Sequence, residues 1–149
     1  MIYIGADHRG FELKEEIKNW LQENEHEVED VGNYVLDPED DYVDFALKVA
    51  ESIQGNGTTS RGIILCGSGH GVDMVANRFS HVRAIVGFND QVTIQGREDE
   101  DANVLVLPAD WVSKDETITR VELFLQTEKS EASRHVRRRA RLANLAIRQ

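Results

Sequence analysis

Two short glycine-containing segments of the sequence carry side chains that can move protons or bind anions. The first, Gly5-Ala6-Asp7-His8-Arg9-Gly10, places a carboxylate, an imidazole and a guanidinium on three successive residues between an apolar run and a helical pattern. A turn of this kind, after a strand, is where ligand sites form in α/β proteins. The spacing also fits a simpler interpretation, in which Asp7 caps the helix while His8 and Arg9 are exposed polar residues.

The second segment is Cys66-Gly67-Ser68-Gly69-His70-Gly71, which follows the clearest buried-strand pattern and precedes a helical one. Its three glycines let backbone N–H groups approach an anionic oxygen at the start of a helix. A P-loop would end in Gly-Lys-Ser/Thr, and a dinucleotide loop would have glycine where Val72 stands, so neither motif fits. Cys66 is either a small buried apolar residue or, beside a helix start, a thiol with a lowered pKa that acts as base or nucleophile.

A third feature is the cationic run over residues 134–141. Helical spacing puts Arg134, Arg138 and Arg141 on one face, whereas Arg137 and Arg139 point elsewhere. One face can therefore bind a phosphate, or the run is a solvated or nucleic-acid-binding surface. The chain has 17 Lys and Arg against 27 Asp and Glu and a net charge of -10. This charge disfavours nucleic acid and anionic lipid as partners.

The elements that must position these side chains alternate along the chain. Apolar runs predict strands over residues 2–4, 26–31, 62–66, 82–86 and 104–107. Amphipathic patterns predict helices over 11–21, 41–53, from near 71, and over 91–98, 114–126 and 130–147. Because a crossover helix is needed between parallel strands, we predict a three-layer α/β/α sandwich with a Rossmann-like parallel sheet of about five strands. Both glycine-containing segments then lie at the carboxyl edge of the sheet.

Length and composition predict one domain spanning residues 1–149 of the 149-residue chain. The single cysteine, Cys66, can form neither an internal disulfide nor a Cys-based zinc cage, and no His, Cys, Asp and Glu set has metal-site spacing. The start of the chain lacks the pattern of a signal peptide, and no apolar run approaches the roughly 20 residues of a membrane span. We therefore expect a cytoplasmic protein with no metal and no membrane partner.

Several separated motifs, taken together, resemble the type B ribose-5-phosphate isomerase and galactose-6-phosphate isomerase family. The resemblance spans nearly the whole chain, and its motifs are Gly-Ala-Asp-His-Arg-Gly-Phe-Glu-Leu-Lys at 5–14, Asp41-Tyr42, Cys66-Gly67-Ser68-Gly69 through Ala76-Asn77-Arg78, Ala102-Asn103-Val104-Leu105 and Arg134-His135…Arg138. It implies a cofactor-free aldose–ketose isomerase that acts on sugar phosphates through an enediolate. It also implies a homodimer or homotetramer with sites at the subunit interface, to which the C-terminal helix contributes.

The resemblance assigns roles residue by residue. Cys66 is the implied base, and Ser68 and the amides of Gly67, Gly69 and Gly71 are donors to the developing oxyanion, as the chemistry requires. The residues that match the phosphate side are His8, Arg134 and Arg138. Those that match the sugar side are Asp7 and Tyr42.

Four positions depart from the pattern of that family. Asp99 replaces the histidine that opens the sugar ring, and Glu100 replaces a sugar-binding asparagine; Asp110 stands where members commonly carry arginine, and His70 stands where an aliphatic residue is usual. His70 either contacts solvent, a neighbouring subunit or a nearby acid, or supplies the missing imidazole. Otherwise Asp99 has a raised pKa, or the substrate never closes into a ring. A sugar phosphate of four to six carbons is expected, and a non-catalytic binding protein is the alternative.

Overall fold

A computed structural model describes residues 1–54 and 59–145 of the chain. Its five strands form one parallel sheet in the order β2-β1-β3-β5-β4. The strands are β1 (Ile2–Ala6), β2 (Val28–Asp30), β3 (Arg61–Cys66), β4 (Ala84–Val86) and β5 (Val104–Pro108). The helices are α1 (Phe11–Glu23), α2 (Tyr42–Gln54), α3 (His70–Ala76), α4 (Asp90–Glu100), α5 (Lys114–Gln126) and α6 (Ser133–Ala143). The predicted three-layer α/β/α sandwich is confirmed.

Differences from the predicted elements are confined to their ends. Strands β2 and β4 begin two residues later than predicted, at Val28 and Ala84. Helix α6 begins at Ser133 and ends at Ala143, followed by a C-cap at Asn144. The prediction of a helix over 130–147 is therefore wrong at residues 130–132 and at residues 144–145. Residues 146 and 147 lie outside the described part of the chain.

Apolar side chains on both faces of the sheet explain why its strands read as continuous hydrophobic runs. One face packs on α2 and α3, where Ala46, Val49 and Val72 are fully buried. The other face packs on α1 and α5, where Ile17 and Phe124 are fully buried. The sheet is therefore covered on both sides and presents its edges and loops to ligands.

The strand order places a crevice between β1 and β3. The chain runs from β1 outward to β2 and from β3 outward to β4 and β5, so the loops after β1 and β3 diverge at their carboxyl ends. Gly10, at the start of α1, lies so close to Leu65 that an added Cβ would be 2.6 Å from the Leu65 Cβ. This close packing holds the β1–α1 turn against the end of β3.

Helix α6 lies outside the three layers and packs against α4. Arg139 attaches it by donating hydrogen bonds to the backbone oxygens of Ser130 at 2.7 Å and Asp99 at 3.3 Å. His135 is buried, whereas Arg134 and Arg138 are exposed. Within residues 1–54 and 59–145, no helix has the length and apolar character needed to cross a bilayer.

Candidate functional site

The turn after β1 is organised by the buried carboxyl group of Asp7. Its Oδ1 accepts hydrogen bonds from the backbone amides of Arg9 at 3.0 Å and Gly10 at 3.1 Å. Burial raises the pKa of the Asp7 carboxyl and outweighs these amide hydrogen bonds, which act to lower it. Asp7 therefore holds the turn in shape and stands at the mouth of the crevice. The simpler interpretation, in which Asp7 caps α1, is wrong, because the N-cap residue is Gly10 and no side chain caps it.

His8 is held by an acid that the sequence did not single out. The Nδ1 atom of His8 lies 2.7 Å from Oδ1 of Asp40, which also accepts a hydrogen bond from the His8 amide. Asn33 donates to the other carboxylate oxygen of Asp40 at 2.6 Å. The hydrogen bond to Asp40 raises the pKa of the His8 imidazole. Because Asp40 occupies Nδ1, Nε2 is the nitrogen left to bind a ligand.

Cys66 ends β3 with its side chain almost fully buried. Its Sγ accepts a hydrogen bond from the backbone amide of Gly69 at 3.1 Å. Burial raises the pKa of the Cys66 thiol, and the amides of Gly69, Val72 and Ser68 oppose that shift only in part. The alternative with a lowered thiol pKa is therefore wrong, because desolvation of the thiolate outweighs the helix start. A thiol with a raised pKa gives a stronger base once it has lost its proton.

The rest of the loop after Cys66 is shaped by two glycines. Gly69 has a φ of +80°, and an added Cβ there would meet Val106 at 3.1 Å. At Gly71 an added Cβ would lie 2.6 Å from ring atoms of Tyr42, so the aromatic ring rests on the glycine backbone. The structure therefore brings Tyr42 to the Cys66 loop. Ser68 is exposed, and its Oγ accepts from the His70 amide at 3.3 Å.

Asp110, one of the acids that depart from the family pattern, is paired with Arg9. The Arg9 Nη2 lies 2.5 Å from Oδ2 of Asp110, and Nε donates to Oδ1 at 3.2 Å. Both side chains cover Gly67, where an added Cβ would lie 2.6 Å from the Arg9 Nε. The Asp110 amide also donates to the Gly67 carbonyl at 3.0 Å. These contacts tie the turn after β5 to the Cys66 loop.

His70 begins α3 and exposes its side chain. Burial raises the pKa of the Asp73 carboxyl in the same helix, and the interaction of Asp73 with His70 acts to lower that pKa. Asp73 also accepts a hydrogen bond from Asn77 at 3.0 Å. In one copy of the chain the His70 side chain therefore contacts solvent, and its role in ring opening stays a prediction.

Asp99 and Glu100 lie near the amino ends of the strands, at the edge of the sheet opposite the one that holds Cys66. They end α4, which leads into the amino end of β5, whereas Cys66 is paired with Pro108 at the carboxyl end. Five strand residues at about 3.3 Å each separate the two edges by roughly 17 Å. One copy of the chain therefore does not bring Asp99 or Glu100 to Cys66.

Arg134 and Arg138 lie on the same side of the sheet as Asp99 and Glu100, near the amino ends of the strands, because α6 packs on α4. Arg134 donates from Nε to Nε2 of His135 at 2.9 Å, and Nδ1 of His135 lies 3.3 Å from Oδ1 of Asp99. The predicted site residues thus form two groups in one chain. The carboxyl-edge group comprises Asp7, His8, Tyr42, Cys66, Gly67, Ser68, Gly69, His70 and Gly71. The amino-edge group comprises Asp99, Glu100, Arg134 and Arg138.

Comparisons with known proteins cover nearly the whole chain. Residues 2–142 match the sequence model of a family described as Ribose/Galactose Isomerase. A probable ribose-5-phosphate isomerase B from Mycoplasma pneumoniae is 39% identical over 137 residues, which are 92% of this chain and 89% of that protein. A ribose 5-phosphate isomerase structure from Thermotoga maritima matches with a TM-score of 0.90 and 38% identity, covering 97% of both chains.

A second solved structure carries a ligand. It is the ribose-5-phosphate isomerase B of Mycoplasma genitalium with bound ribulose-5-phosphate, which matches with a TM-score of 0.91 and 36% identity over 95% of this chain and 93% of that chain. Sequence model, relatives and structures agree with the resemblance carried by the motifs. The chain belongs to the ribose/galactose isomerase family.

Proposed function

We propose that this protein is an aldose–ketose isomerase that interconverts sugar phosphates through an enediolate. The observation that carries the proposal is the Cys66 thiol at the crevice between β1 and β3, within 3.1 Å of the Gly69 amide, in a chain of this family. Proton transfer between neighbouring carbons needs one base and donors for the oxygen that becomes negative. The carboxyl-edge group provides both.

The Cys66 thiolate removes the proton from C2 of the open-chain aldose, and the electron pair of that bond forms the enediolate. The same proton, or one from solvent, then returns to C1, while the proton of the C2 hydroxyl passes from O2 to O1, which gives the ketose. Ser68 and the amides of Gly67, Gly69 and Gly71 stabilise the negative oxygen of the intermediate. Asp7 and Tyr42 contact the sugar hydroxyls, and His8 faces the phosphate. The chemistry balances without a redox partner, since C1 is reduced as C2 is oxidised.

The complete site requires a second copy of the chain. Its amino-edge group would bring Arg134 and Arg138 to the phosphate, and Asp99 and Glu100 to the sugar. The distance between the two edges of one sheet supports this arrangement, because a five-carbon sugar phosphate cannot bridge roughly 17 Å. A dimer with two equivalent sites, or a tetramer built from such dimers, would bring the carboxyl-edge group of one copy and the amino-edge group of another together at each site.

Ribose 5-phosphate is the first substrate to test. The relatives named above are ribose-5-phosphate isomerases, and the Mycoplasma genitalium protein holds ribulose-5-phosphate. Asp99 and Glu100 depart from the family pattern and change the charge around the sugar. The proposed substrates therefore extend to other sugar phosphates of four to six carbons. Candidates for opening a cyclic substrate are Asp99 and His70.

The test is incubation of the purified protein with each sugar phosphate in deuterated water, followed by NMR. Isomerisation through an enediolate introduces deuterium at C1 of the ketose and at C2 of the aldose. The matched control is Cys66→Ala under the same conditions. Tight binding of a sugar phosphate with neither isomerisation nor exchange at either carbon would overturn the proposal. It would identify a non-catalytic sugar-phosphate-binding protein instead.

A further inference from the structure

The buried imidazole of helix α6 lies between a guanidinium and a carboxylate. His135 is 7% exposed, and its Nε2 accepts a hydrogen bond from Nε of Arg134 at 2.9 Å. Its Nδ1 lies 3.3 Å from Oδ1 of Asp99, at the end of α4. His135 therefore links two members of the amino-edge group that stand on different helices. The proposed isomerase chemistry assigns it no role.

These contacts determine the tautomer of His135. The arginine Nε can only donate a hydrogen bond, so Nε2 of the imidazole must be unprotonated. The neutral ring then carries its proton on Nδ1, the nitrogen that faces Asp99. In the described part of the chain this N–H has no hydrogen-bond partner. The Asp99 carboxylate lies 3.3 Å from this nitrogen and makes no hydrogen bond to it.

Arg134 differs from four other arginines in the charge of its partner. Arg9, Arg83, Arg97 and Arg120 each pair with a carboxylate, which offsets their positive charge. Arg134 instead donates to a neutral imidazole, which orients the guanidinium without offsetting its charge. The bond uses Nε, and the two terminal amino groups have no partner among residues 1–54 and 59–145. Those terminal groups are the ones that bind phosphate bidentately.

We propose that His135 is a positioning residue that orients Arg134 toward the phosphate group of a bound sugar phosphate. The proposal rests on the function proposed above, in which Arg134 of one copy binds the phosphate at the site of another. A long, exposed arginine loses rotamer freedom when it binds an anion, and this loss weakens binding. Holding Nε in the free protein removes part of that loss before the phosphate arrives.

Variants of His135 test this assignment. His135→Leu removes the acceptor, and His135→Asn can replace Nδ1 but not Nε2. Both should raise the KM for ribose 5-phosphate and the inhibition constant of inorganic phosphate by about fivefold to tenfold, the net value of one hydrogen bond. The kcat should stay within about twofold, because the reacting carbons are not touched. His135→Gln, whose amide oxygen can accept from Arg134, should restore most of the affinity.

A double-mutant cycle separates orientation from a structural role. In an Arg134→Ala background, His135→Leu should change neither constant, since no guanidinium remains to be oriented. Equal effects of His135→Leu with and without Arg134 would overturn the proposal, as would failure of His135→Gln to restore affinity. His81→Leu is the control, because His81 contacts the Ala50 carbonyl at 2.9 Å, outside the amino-edge group.

Calorimetric titration with inorganic phosphate distinguishes the failure of this proposal from the failure of the proposed function. If the wild-type protein binds phosphate but isomerises no sugar phosphate, the proposed function fails. The comparison of wild type with His135→Asn and His135→Gln still decides the role of His135. If the wild-type protein isomerises ribose 5-phosphate but binds no phosphate, the assignment of His135 is overturned and the proposed function stands.

Discussion

The backbone amide of Gly69 donates a hydrogen bond to the Sγ atom of Cys66 at 3.1 Å, so the loop that follows β3 turns back onto the thiol that ends it. Gly69 can make this contact because its φ of +80° is a conformation that glycine adopts without strain. Sulfur and amide donors are thereby held within one tight turn. A substrate carbon at the thiol would have its oxygen beside backbone N–H groups.

Cys66→Ala should lower kcat for ribose 5-phosphate by at least about a hundredfold, because general-base catalysis contributes that much or more. The affinity for inorganic phosphate should remain close to that of the wild type, since the phosphate residues stand elsewhere. Steady-state kinetics and calorimetry measure the two quantities. Near-normal turnover in Cys66→Ala would remove this thiol from the mechanism.

Asp40→Asn should shift the pH dependence of substrate binding. The hydrogen bond to Asp40 raises the pKa of His8, so the imidazole keeps its positive charge to higher pH than an isolated histidine. In the wild type, KM should rise as pH increases through that raised pKa, because the phosphate loses a cationic partner. In Asp40→Asn the pKa of His8 falls, and the rise in KM should begin at lower pH.

The control for Asp40→Asn is Asp37→Asn. Asp37 is an exposed acid of the same loop whose carboxylate accepts from the Glu39 amide at 3.0 Å. Its replacement should leave the KM–pH profile unchanged. Identical profiles for wild type and Asp40→Asn would show that the charge of His8 does not contribute to binding.

Gly71→Ala tests the contact between the Tyr42 ring and the Cys66 loop. An added methyl group would lie 2.6 Å from two ring carbons of Tyr42, so the ring must leave its position. We expect kcat/KM to fall by about tenfold or more, with little change in thermal stability because Tyr42 is 40% exposed and can move outward. In a Tyr42→Ala background the same change should have much less effect. Equal losses in both backgrounds would locate the damage in the loop backbone instead.

Arg138→Ala should raise the KM for a phosphorylated sugar strongly, whereas Arg137→Ala should change it little. Arg138 shares a helical face with Arg134, whereas the exposed Arg137 is offset from Arg138 by about 100° around the helix axis. Two charge-assisted contacts to one phosphate contribute several kcal/mol of binding, so loss of one should raise KM by at least about tenfold. Equal effects of the two substitutions would indicate a diffuse basic surface.

The order of strands and helices could be predicted because each apolar run or helical stripe lies within a few residues of sequence. The pairs that shape the site could not. His8 meets Asp40 across 32 positions, and Arg9 meets Asp110 across 101. Neither acid forms a motif with its partner, so only the fold brings them together. The raised pKa of Cys66 likewise depends on burial by surrounding elements and not on its neighbours in sequence.

The separation of the two groups did have a sequence signal. Asp99 comes between the predicted helix 91–98 and the predicted strand 104–107, and Cys66 comes at the end of another predicted strand. In a parallel sheet these positions lie at opposite edges. The predicted site residues of one copy therefore do not all lie near one another. This topology is the physical reason to expect that two copies complete the site.

The last prediction concerns the acid that opens a cyclic substrate. His70 is exposed, so we expect His70→Ala to leave kcat/KM within about twofold of wild type for ribose 5-phosphate. Asp99→Ala should lower the rate on ribose 5-phosphate by about tenfold or more, since general acid–base catalysis of ring opening is lost. A four-carbon aldose 4-phosphate forms no ring, because its phosphate blocks the hydroxyl that would close it. On that substrate Asp99→Ala should lose far less activity.

Comparison of the two substrates separates ring opening from the contact between Asp99 and His135. Weaker orientation of Arg134 would raise KM for both sugar phosphates alike, whereas loss of the ring-opening acid affects only the cyclic one. If His70→Ala, and not Asp99→Ala, loses activity selectively on ribose 5-phosphate, then His70 supplies the acid and our assignment to Asp99 is wrong. Measurement of kcat and KM for both variants on both substrates decides between the two residues.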